Sequence, residues 1–258
     1  MTLLEPPAKE SLRPSAREGV VAVPLPNRLG IQFSVDAEAR FLSHHDTMRL
    51  MARAARRAGL PVAYSGGFNP RPRLSLPLPR PVGIAGRQEL LVLELAEPIE
   101  SDQVVARLAA QVPAGLKIDS SALLAHKRAP QAESADYELP IPADQAERLT
   151  QRLRELETEP TWPCTRRENP PAQTSPGRRA SAHPSRCLEL RELVMRLSFD
   201  GRTLSFTLAP RQQVWARVDE VLALVGLDAA LRASITRTTI RWQSEQDPAR
   251  GATDGTQE

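Results

Sequence analysis

The order of elements along this 258-residue chain predicts an α+β fold of two ferredoxin-like halves that lie side by side. Residues 28–125 read as strand, helix, strand, strand, helix and strand, and residues 134–243 read in the same order. Hydrophobic residues alternate in the strand segments and recur at helical spacing in the others. The two halves share no residue identity, so the repeat is one of element order only.

Alternating hydrophobic residues and capping residues define the elements of the first half. Leu29, Ile31, Phe33 and Val35 alternate with small or polar residues, which is the period of a strand with one buried face. Ser101 is expected to cap the second helix. The predicted elements are strands at 28–35, 74–76, 88–95 and 116–124, and helices at 44–58 and 101–111.

The second half shows the same two patterns. Val218, Val221 and Val225 recur at helical spacing and are followed by Gly226, a residue suited to end a helix. The dipeptide at 200–201 is Asp-Gly, which is typical of a hairpin turn. The predicted elements are strands at 137–141, 188–199, 203–208 and 235–242, and helices at 144–157 and 214–225.

Three segments are predicted to be disordered because they are rich in proline and charged residues. They are an N-terminal arm at 1–27, an insert in the second half at 159–186, and a tail at 244–258. The insert contains six prolines and five arginines, and we expect it to be dispensable for folding. The alternative interpretation is that this basic insert binds RNA or an acidic partner.

Charge and cysteine content limit the classes of protein to which the chain can belong. The net charge is only +3, so the molecule as a whole is not a strongly basic binder of polyanions. Two cysteines are too few for an iron–sulfur cluster, so we expect no metal and no cofactor in this chain. No hydrophobic run reaches about 18 residues and no signal-peptide pattern is present, which predicts a cytoplasmic protein without membrane contact.

The densest group of polar residues lies at 41–73. Within it, Ser43 and Asp46 have the spacing of a helix N-cap, and Gly59 followed by Pro61 is typical of a helix end. Methionine and alanine share one face of this helix. Its opposite face carries Arg49, Arg53, Arg56 and Arg57. These arginines are interpreted either as a solvated face or as cations for an anionic ligand.

A loop of glycine, aromatic and arginine residues follows this helix at 64–73. Glycines let a backbone approach a ligand closely, an aromatic ring can stack on a base, and arginine forks suit phosphate or carboxylate. The simplest alternative is an ordinary turn before a strand. The residues predicted to form a binding site are His44, Asp46, Arg49, Tyr64, Ser65, Gly67, Phe68, Asn69, Arg71 and Arg73.

Residues 40–75 read RFLSHHDTMRLMARAARRAGLPVAYSGGFNPRPRLS. This stretch resembles the radical-SAM-linked family, a bacterial domain of unknown function with the pattern RFLSH-x-D-x-M-R followed by RRAGLP-x-AYS-x-GFNP-x-P-x-x-S. The similarity covers residues 29–118 and extends faintly to 235–238. His45, Gly66 and residues 78–81 depart from the family's pattern, which leaves the shape of the loop open.

The resemblance implies partners and not a reaction. Members of that family are fused to, or encoded beside, radical-SAM proteins with cobalamin-binding domains, and some lie beside an RNase E/G-type ribonuclease. The chain is therefore expected to be a non-catalytic accessory module that presents RNA or another anionic substrate to such a partner. No catalytic residues are established for the family, so the resemblance supplies none.

Two other functions fit the sequence. Paired ferredoxin-like folds occur in CRISPR repeat-processing endoribonucleases, and His44 or His45 lies near the first helix, where a general acid or base would be placed. A simpler interpretation is that His44 only fixes the start of the helix. The second of these two functions is a purely structural or protein-docking role.

Overall fold

The computed structural model describes residues 27–124, 128–167 and 185–243 of the chain. Over these ranges the fold is mixed α+β, with one large and mostly antiparallel sheet, a two-stranded sheet and four α-helices. The predicted α+β class is confirmed. The predicted N-terminal arm and tail lie outside the described residues, apart from Asn27, which begins the first strand.

The first half contains four strands and two α-helices. The strands are β1 (Asn27–Val35), β2 (Leu74–Ser75), β3 (Ala85–Leu95) and β4 (Leu116–Leu123). The helices are α1 (His44–Arg57) and α2 (Ser101–Ala109). A 3₁₀ turn, Ala37–Phe41, connects β1 to α1.

The second half contains the remaining six strands and two α-helices of the described residues. The strands are β5 (Ala132–Pro140), β6 (Pro163–Arg167), β7 (Ser185–Glu189), β8 (Val194–Phe199), β9 (Thr203–Leu208) and β10 (Thr236–Trp242). The helices are α3 (Ala143–Thr158) and α4 (Val218–Leu224), with 3₁₀ turns at Leu190–Glu192 and Ala229–Ser234. None of the helices in the described ranges combines the length and the hydrophobicity needed to cross a bilayer.

The large sheet has the strand order β4-β1-β3-β10-β5-β9-β8, with the short β2 beside β3. Each half contributes four strands to this sheet. Numbered by their order in the chain, these strands lie in the spatial order fourth, first, third, second, which is β4-β1-β3-β2 in the first half and β10-β5-β9-β8 in the second. Neighbours within each half are antiparallel, whereas β3 and β10 join the halves in parallel. β3 therefore pairs with two strands along one edge, with β10 at Ala85 and Gly86 and with β2 at Val92 and Leu93.

The helices of both halves pack on the same face of this sheet. Gly86 is in register with Val35, which is buried in the core beneath α1 and α2. Gly86 is also in register with Arg237, which pairs with Tyr137 in the core beneath α3 and α4. Because residues in register point to the same side of a sheet, the two cores lie side by side under one helical layer.

A buried ion pair closes the junction between β3 and β10. Arg237 and Glu89 are almost fully buried, and the guanidinium contacts both carboxylate oxygens, with Nε–Oε1 at 2.9 Å and Nη2–Oε2 at 2.5 Å. Nη2 of Arg237 also donates to the Leu78 carbonyl at 3.1 Å. Glycine is required at position 86, because a Cβ on Gly86 would lie 2.3 Å from Oε1 of Glu89.

Several predicted boundaries differ from the observed ones, such as the helix predicted at 214–225, which begins at Val218, and two of them are wrong for identifiable local reasons. Ser101 is the first residue of α2 and not its cap, because Glu100 before it has an extended backbone and takes the N-cap position. The predicted single strand at 188–199 is broken into β7 and β8. The break occurs because the Glu189 carboxylate accepts hydrogen bonds from the backbone N–H groups of Trp162 and Arg191, which turns the chain into a 3₁₀ segment.

The predicted insert at 159–186 is ordered at both ends. β6 and β7 pair in antiparallel register, and Trp162 packs in the second-half core, where its ring N–H donates to the Leu156 carbonyl at 3.2 Å. Arg166 on β6 forms an ion pair with Glu220 at 2.6 Å. The prediction of disorder is therefore wrong for 159–167 and 185–186, whereas dispensability for folding stays a prediction. The rest of the insert, 168–184, lies outside the described residues.

We expect Glu89→Gln to lower the free energy of unfolding by about 3–5 kcal/mol, because it leaves the buried Arg237 guanidinium without its counter-charge. Urea unfolding followed by circular dichroism measures the change. Glu138→Gln is the matched control. It breaks the exposed ion pair of Glu138 with Arg87, 3.7 Å apart, and should cost less than about 1 kcal/mol. Equal effects of the two substitutions would contradict the role assigned to the buried pair.

Candidate functional site

The start of α1 is fixed by Ser43 and Asp46, as the sequence predicts. Oγ of Ser43 accepts from the Asp46 backbone N–H at 3.1 Å and donates to the Asp46 carboxylate at 2.6 Å. The Ser43 hydrogen bond and the charge of Arg49 lower the pKa of Asp46. Thr47 adds a bond from its hydroxyl to the Ser43 carbonyl at 2.9 Å. Asp46 therefore stays ionised at neutral pH and supports the helix that presents the arginines.

The arginine face of α1 lines an open groove of about 600 Å³ between α1 and the chain that follows α2. Arg57 closes one end by donating to the Gln111 carbonyl at 2.6 Å. Arg49 lies 3.6 Å from Asp46, and both side chains are largely exposed. Arg53 also lines the groove, is exposed, and forms no ion pair within the described ranges. The groove is therefore lined along the helix by arginine side chains that are accessible to solvent.

The loop after α1 is held in shape by backbone hydrogen bonds. The Ala63 N–H donates to the Glu94 carbonyl on β3, and the Arg73 N–H donates to the Ala63 carbonyl, each at 2.8 Å. Further out, the Ser65 N–H donates to the Arg71 carbonyl at 2.8 Å, and Oγ of Ser65 accepts from the Arg71 N–H at 3.0 Å. These bonds tie the two sides of the loop together and leave 66–70 as an exposed tip.

The side chains of this loop point largely into solvent. Phe68 is fully exposed and Tyr64 is 48% exposed. Asn69 and Arg71 are exposed, and the Arg71 guanidinium has no carboxylate partner among the described residues. Arg73 differs, because its guanidinium pairs with Glu94 at 3.1 Å. Gly67 has a φ of 105°, a backbone angle that side chains oppose, so glycine is required at the tip.

The predicted site residues fall on two separate surfaces. Asp46 and Arg49 line the α1 groove, and none of the residues at 64–73 lines it. The loop surface carries Tyr64, Phe68 and Arg71, while Ser65 shapes the loop from within. The first half therefore has an arginine groove and an aromatic loop, joined through 58–63.

His44 occupies a distinct position in the first turn of α1. Its Nδ1 is shielded from solvent and has no hydrogen-bond partner within the described residues, and its ring lies edge-on to His45 at 5.4 Å. Burial, followed by the charge of His45, lowers the pKa of His44 from its ordinary 6.5. The imidazole is therefore neutral at pH 7 and can accept a proton.

A second arginine-rich region, at the junction of the halves, was missed by sequence reasoning. It surrounds a cavity of about 560 Å³ whose lining includes Tyr137, Trp215 and Arg237. The strand alternation of β10 could have identified Arg237, because it occupies an inward position between two threonines. The other arginines come from segments that are far apart in the chain, so no local pattern brings them together.

A bacterial protein-family model matches residues 28–179, which is more than half of the chain. This protein belongs to DUF2344. The family is described as an uncharacterized protein conserved in bacteria. The match includes α1, the loop and β3, and therefore both surfaces of the first half. A comparison with curated proteins gave no match.

In this DUF2344 chain we expect the His44 pKa to lie below 6.5 and to rise in His45→Gln, because one neighbouring positive charge is removed. The rise should be partial, since burial of His44 is unchanged. Histidine ring signals followed by NMR across pH 4–9 report the titration.

The matched control is His45→Lys, which retains a positive charge beside His44 and should keep its pKa low. A His44 midpoint at or above 6.5 in the wild-type chain would contradict the burial of this ring.

Proposed function

We propose that this DUF2344 protein is a non-catalytic module that binds RNA and presents it to a radical-SAM partner. The observation that carries the proposal is Phe68, whose ring is fully exposed at the tip of a hydrogen-bonded loop. Arg71, with no carboxylate partner in the described ranges, lies on the same loop. Exposed aromatic rings next to cations are the means by which proteins bind single-stranded nucleic acid.

The distribution of charge favours an extended ligand. Arg53 and Arg56 on α1 and Arg71 on the loop are exposed and form no ion pair within the described ranges. The α1 groove and the loop are separate surfaces, so a ligand that contacts both must be longer than a single small anion. A single-stranded RNA has the required length and repeats its negative charge at every nucleotide.

We also propose that each half is ferredoxin-like. Support comes from the strand order fourth, first, third, second, which occurs in both halves with two helices on one face. Fold alone does not specify a function, so the RNA proposal is based on the exposed groups of the first half.

The proposed partner is a radical-SAM protein with a cobalamin-binding domain, with an RNase E/G-type ribonuclease as a further associate. Support comes from the resemblance of residues 40–75 and from a cysteine count too low for the cluster itself. Cys164 and Cys187 lie on facing strands as free thiols, in keeping with action in the reducing cytoplasm.

Affinity purification of the tagged chain from a bacterium that encodes it should retain such a partner, which mass spectrometry identifies. A purification that retains RNA but no radical-SAM protein would remove the partner from the proposal and leave RNA binding intact.

The second candidate is an RNA-processing or RNA-modifying enzyme that uses His44 or His45 as general acid or base. The Nδ1 of His44, which has no partner among the described residues, and the lowered pKa of this ring favour it, because a general base must be neutral at the working pH. RNA recovered shortened or modified after incubation with wild-type protein, and unchanged with His44→Gln, would favour this candidate over the non-catalytic module.

We expect the double variant Arg53→Gln with Arg71→Gln to weaken the binding of a single-stranded uridine 20-mer and to flatten its salt dependence. Loss of two phosphate contacts should reduce the slope of log K against log salt by about 1.4. Phe68→Ala should weaken binding by about 1–3 kcal/mol with little change of slope, because stacking releases no counterions. Fluorescence anisotropy across a salt series measures both effects.

The control variant is Arg148→Gln with Arg154→Gln, which removes the same charge from exposed positions on α3 in the second half. It should leave affinity and slope near the wild-type values. If the α1 and loop variant also binds as the wild type does, the first half is not the RNA surface and the proposed function is lost.

A further inference from the structure

The cavity at the junction of the halves brings arginines and a tryptophan together in one concave site, whereas the α1 groove and the loop are two separate surfaces. Its volume is about 560 Å³, within the range of small-molecule sites. The first half supplies the proline-rich segment 78–81, and the second half supplies β6, β7 and residues 213–219. Tyr137 and Arg237, both buried, line it from the sheet. The cavity therefore exists only where the two halves meet.

The lining of this cavity is strongly basic. Its arginines are Arg166, Arg186, Arg217, Arg232 and Arg237, and Asp219 is the one carboxylate among its described lining residues. Three of these arginines have carboxylate partners, namely Glu220, Asp219 and Glu89. Arg186 and Arg217 have none within ion-pair distance in the described ranges. Two of the positive charges at the cavity thus form no ion pair among the described residues, although the Glu220 charge also attracts Arg217 at longer range.

The paired arginines are held in fixed orientations. Arg166 donates to both Glu220 oxygens at 2.7 and 2.6 Å and to the Trp215 carbonyl at 2.8 Å. Arg232 donates to Asp219 at 2.5 Å and to the Val82 carbonyl of the first half at 3.0 Å. Side chains that are already ordered lose little conformational freedom when an anion binds.

An aromatic ring and a side-chain amide complete the lining. Trp215 is half-buried and follows a tight turn in which Gln212 and Gln213 have φ angles of 49° and 64°. Arg211 and Val214 exchange backbone hydrogen bonds at 2.9 Å across this turn. Left-handed backbone at a residue other than glycine costs about 1–3 kcal/mol and concentrates at ligand sites. The turn places Gln213 at the cavity beside Trp215.

We propose that this cavity binds a nucleoside phosphate, with the phosphate on Arg186 and Arg217 and the base against Trp215. Guanidinium forks match phosphate oxygens, an indole ring stacks on a base, and a glutamine amide can both donate to and accept from a base edge. A phosphate ion alone would leave Trp215 and Gln213 unused, and the cavity is too small for a duplex. The proposal does not depend on RNA binding by α1 and the loop.

The nucleoside phosphate can be a free nucleotide or the phosphorylated end of an RNA chain. Isothermal titration calorimetry of the full chain separates these sources with four probes. They are the individual nucleoside 5′-monophosphates, inorganic phosphate, a 5′-phosphorylated tetranucleotide, and the same tetranucleotide with a 5′-hydroxyl. Preference for monophosphates identifies a free nucleotide, and preference for the 5′-phosphorylated over the 5′-hydroxyl tetranucleotide identifies a chain end.

Two variants test the assigned roles, and two more serve as a control and as a substitute. Arg186→Gln with Arg217→Gln should weaken the preferred probe about tenfold or more, because charge-assisted hydrogen bonds to phosphate are lost. Trp215→Leu should weaken nucleotide binding about tenfold and leave the affinity for inorganic phosphate unchanged. Arg154→Gln, an exposed α3 control, should bind within twofold of wild type. Arg186→Gln alone substitutes an exposed residue and serves if the double variant does not fold.

Absence of binding for every probe overturns the proposal, and so does wild-type affinity in the Arg186→Gln variants. Equal affinity for inorganic phosphate and nucleotides overturns the assignment of Trp215. The Arg53→Gln with Arg71→Gln variant should retain nucleotide binding. Loss of nucleotide binding in that variant would assign the nucleotide to the α1 and loop surface. Failure of this proposal and failure of the proposed function are therefore distinguishable.

Discussion

The ion pair between Glu89 and Arg237 is the constraint on which the joining of the two halves depends. Only two residue pairs connect β3 and β10 directly, which is too short a ladder to define a junction by backbone bonding alone. Burial by itself lowers the pKa of Arg237, and the charges and hydrogen bonds of Glu89 and Tyr137 together more than offset this. A buried ion pair adds little net stability compared with a pair of apolar side chains. Removal of only one of its two partners is costly, because the other charge is then buried without compensation. The effect of the pair here is to fix the register, because a slip of one residue would separate the charges and reverse every side chain of β10.

The same pair also positions one wall of the junction cavity. Arg237 anchors the segment before β3 through the Leu78 carbonyl, and this segment forms one wall of the junction cavity. At the other end of β3, the loop after α1 is bonded to Glu94. One strand, β3, therefore helps to position both the cavity and the aromatic loop.

Local sequence patterns predicted the local structure well and the long-range structure poorly. The cap at Ser43, the end of α1 before Gly59 and the alternation of β1 depend on neighbours in sequence, and each is found as predicted. The break at Glu189 depends on a bond to Trp162, which is 27 residues away in the chain, and Trp162 is buried among residues from several elements of the second half. Composition does not reveal either contact. The cavity arginines lie on separate elements and meet only after folding. The sequence placed the predicted binding residues in one continuous stretch, 44–73, and only the fold shows that they divide between two surfaces.

The position of β10 in the sheet has a consequence for synthesis of the chain. Among the strands of the described residues β10 is synthesised last, yet it lies between β3 and β5 in the centre of the sheet. Domains usually fold as they emerge from the ribosome, beginning at the N-terminus. Here the first half can fold early, but Glu89 then faces water without its partner until Arg237 has been released. Pairing of β10 with β3 is therefore a late folding step that joins residues far apart in sequence. The two halves complete folding together even though each has its own hydrophobic core.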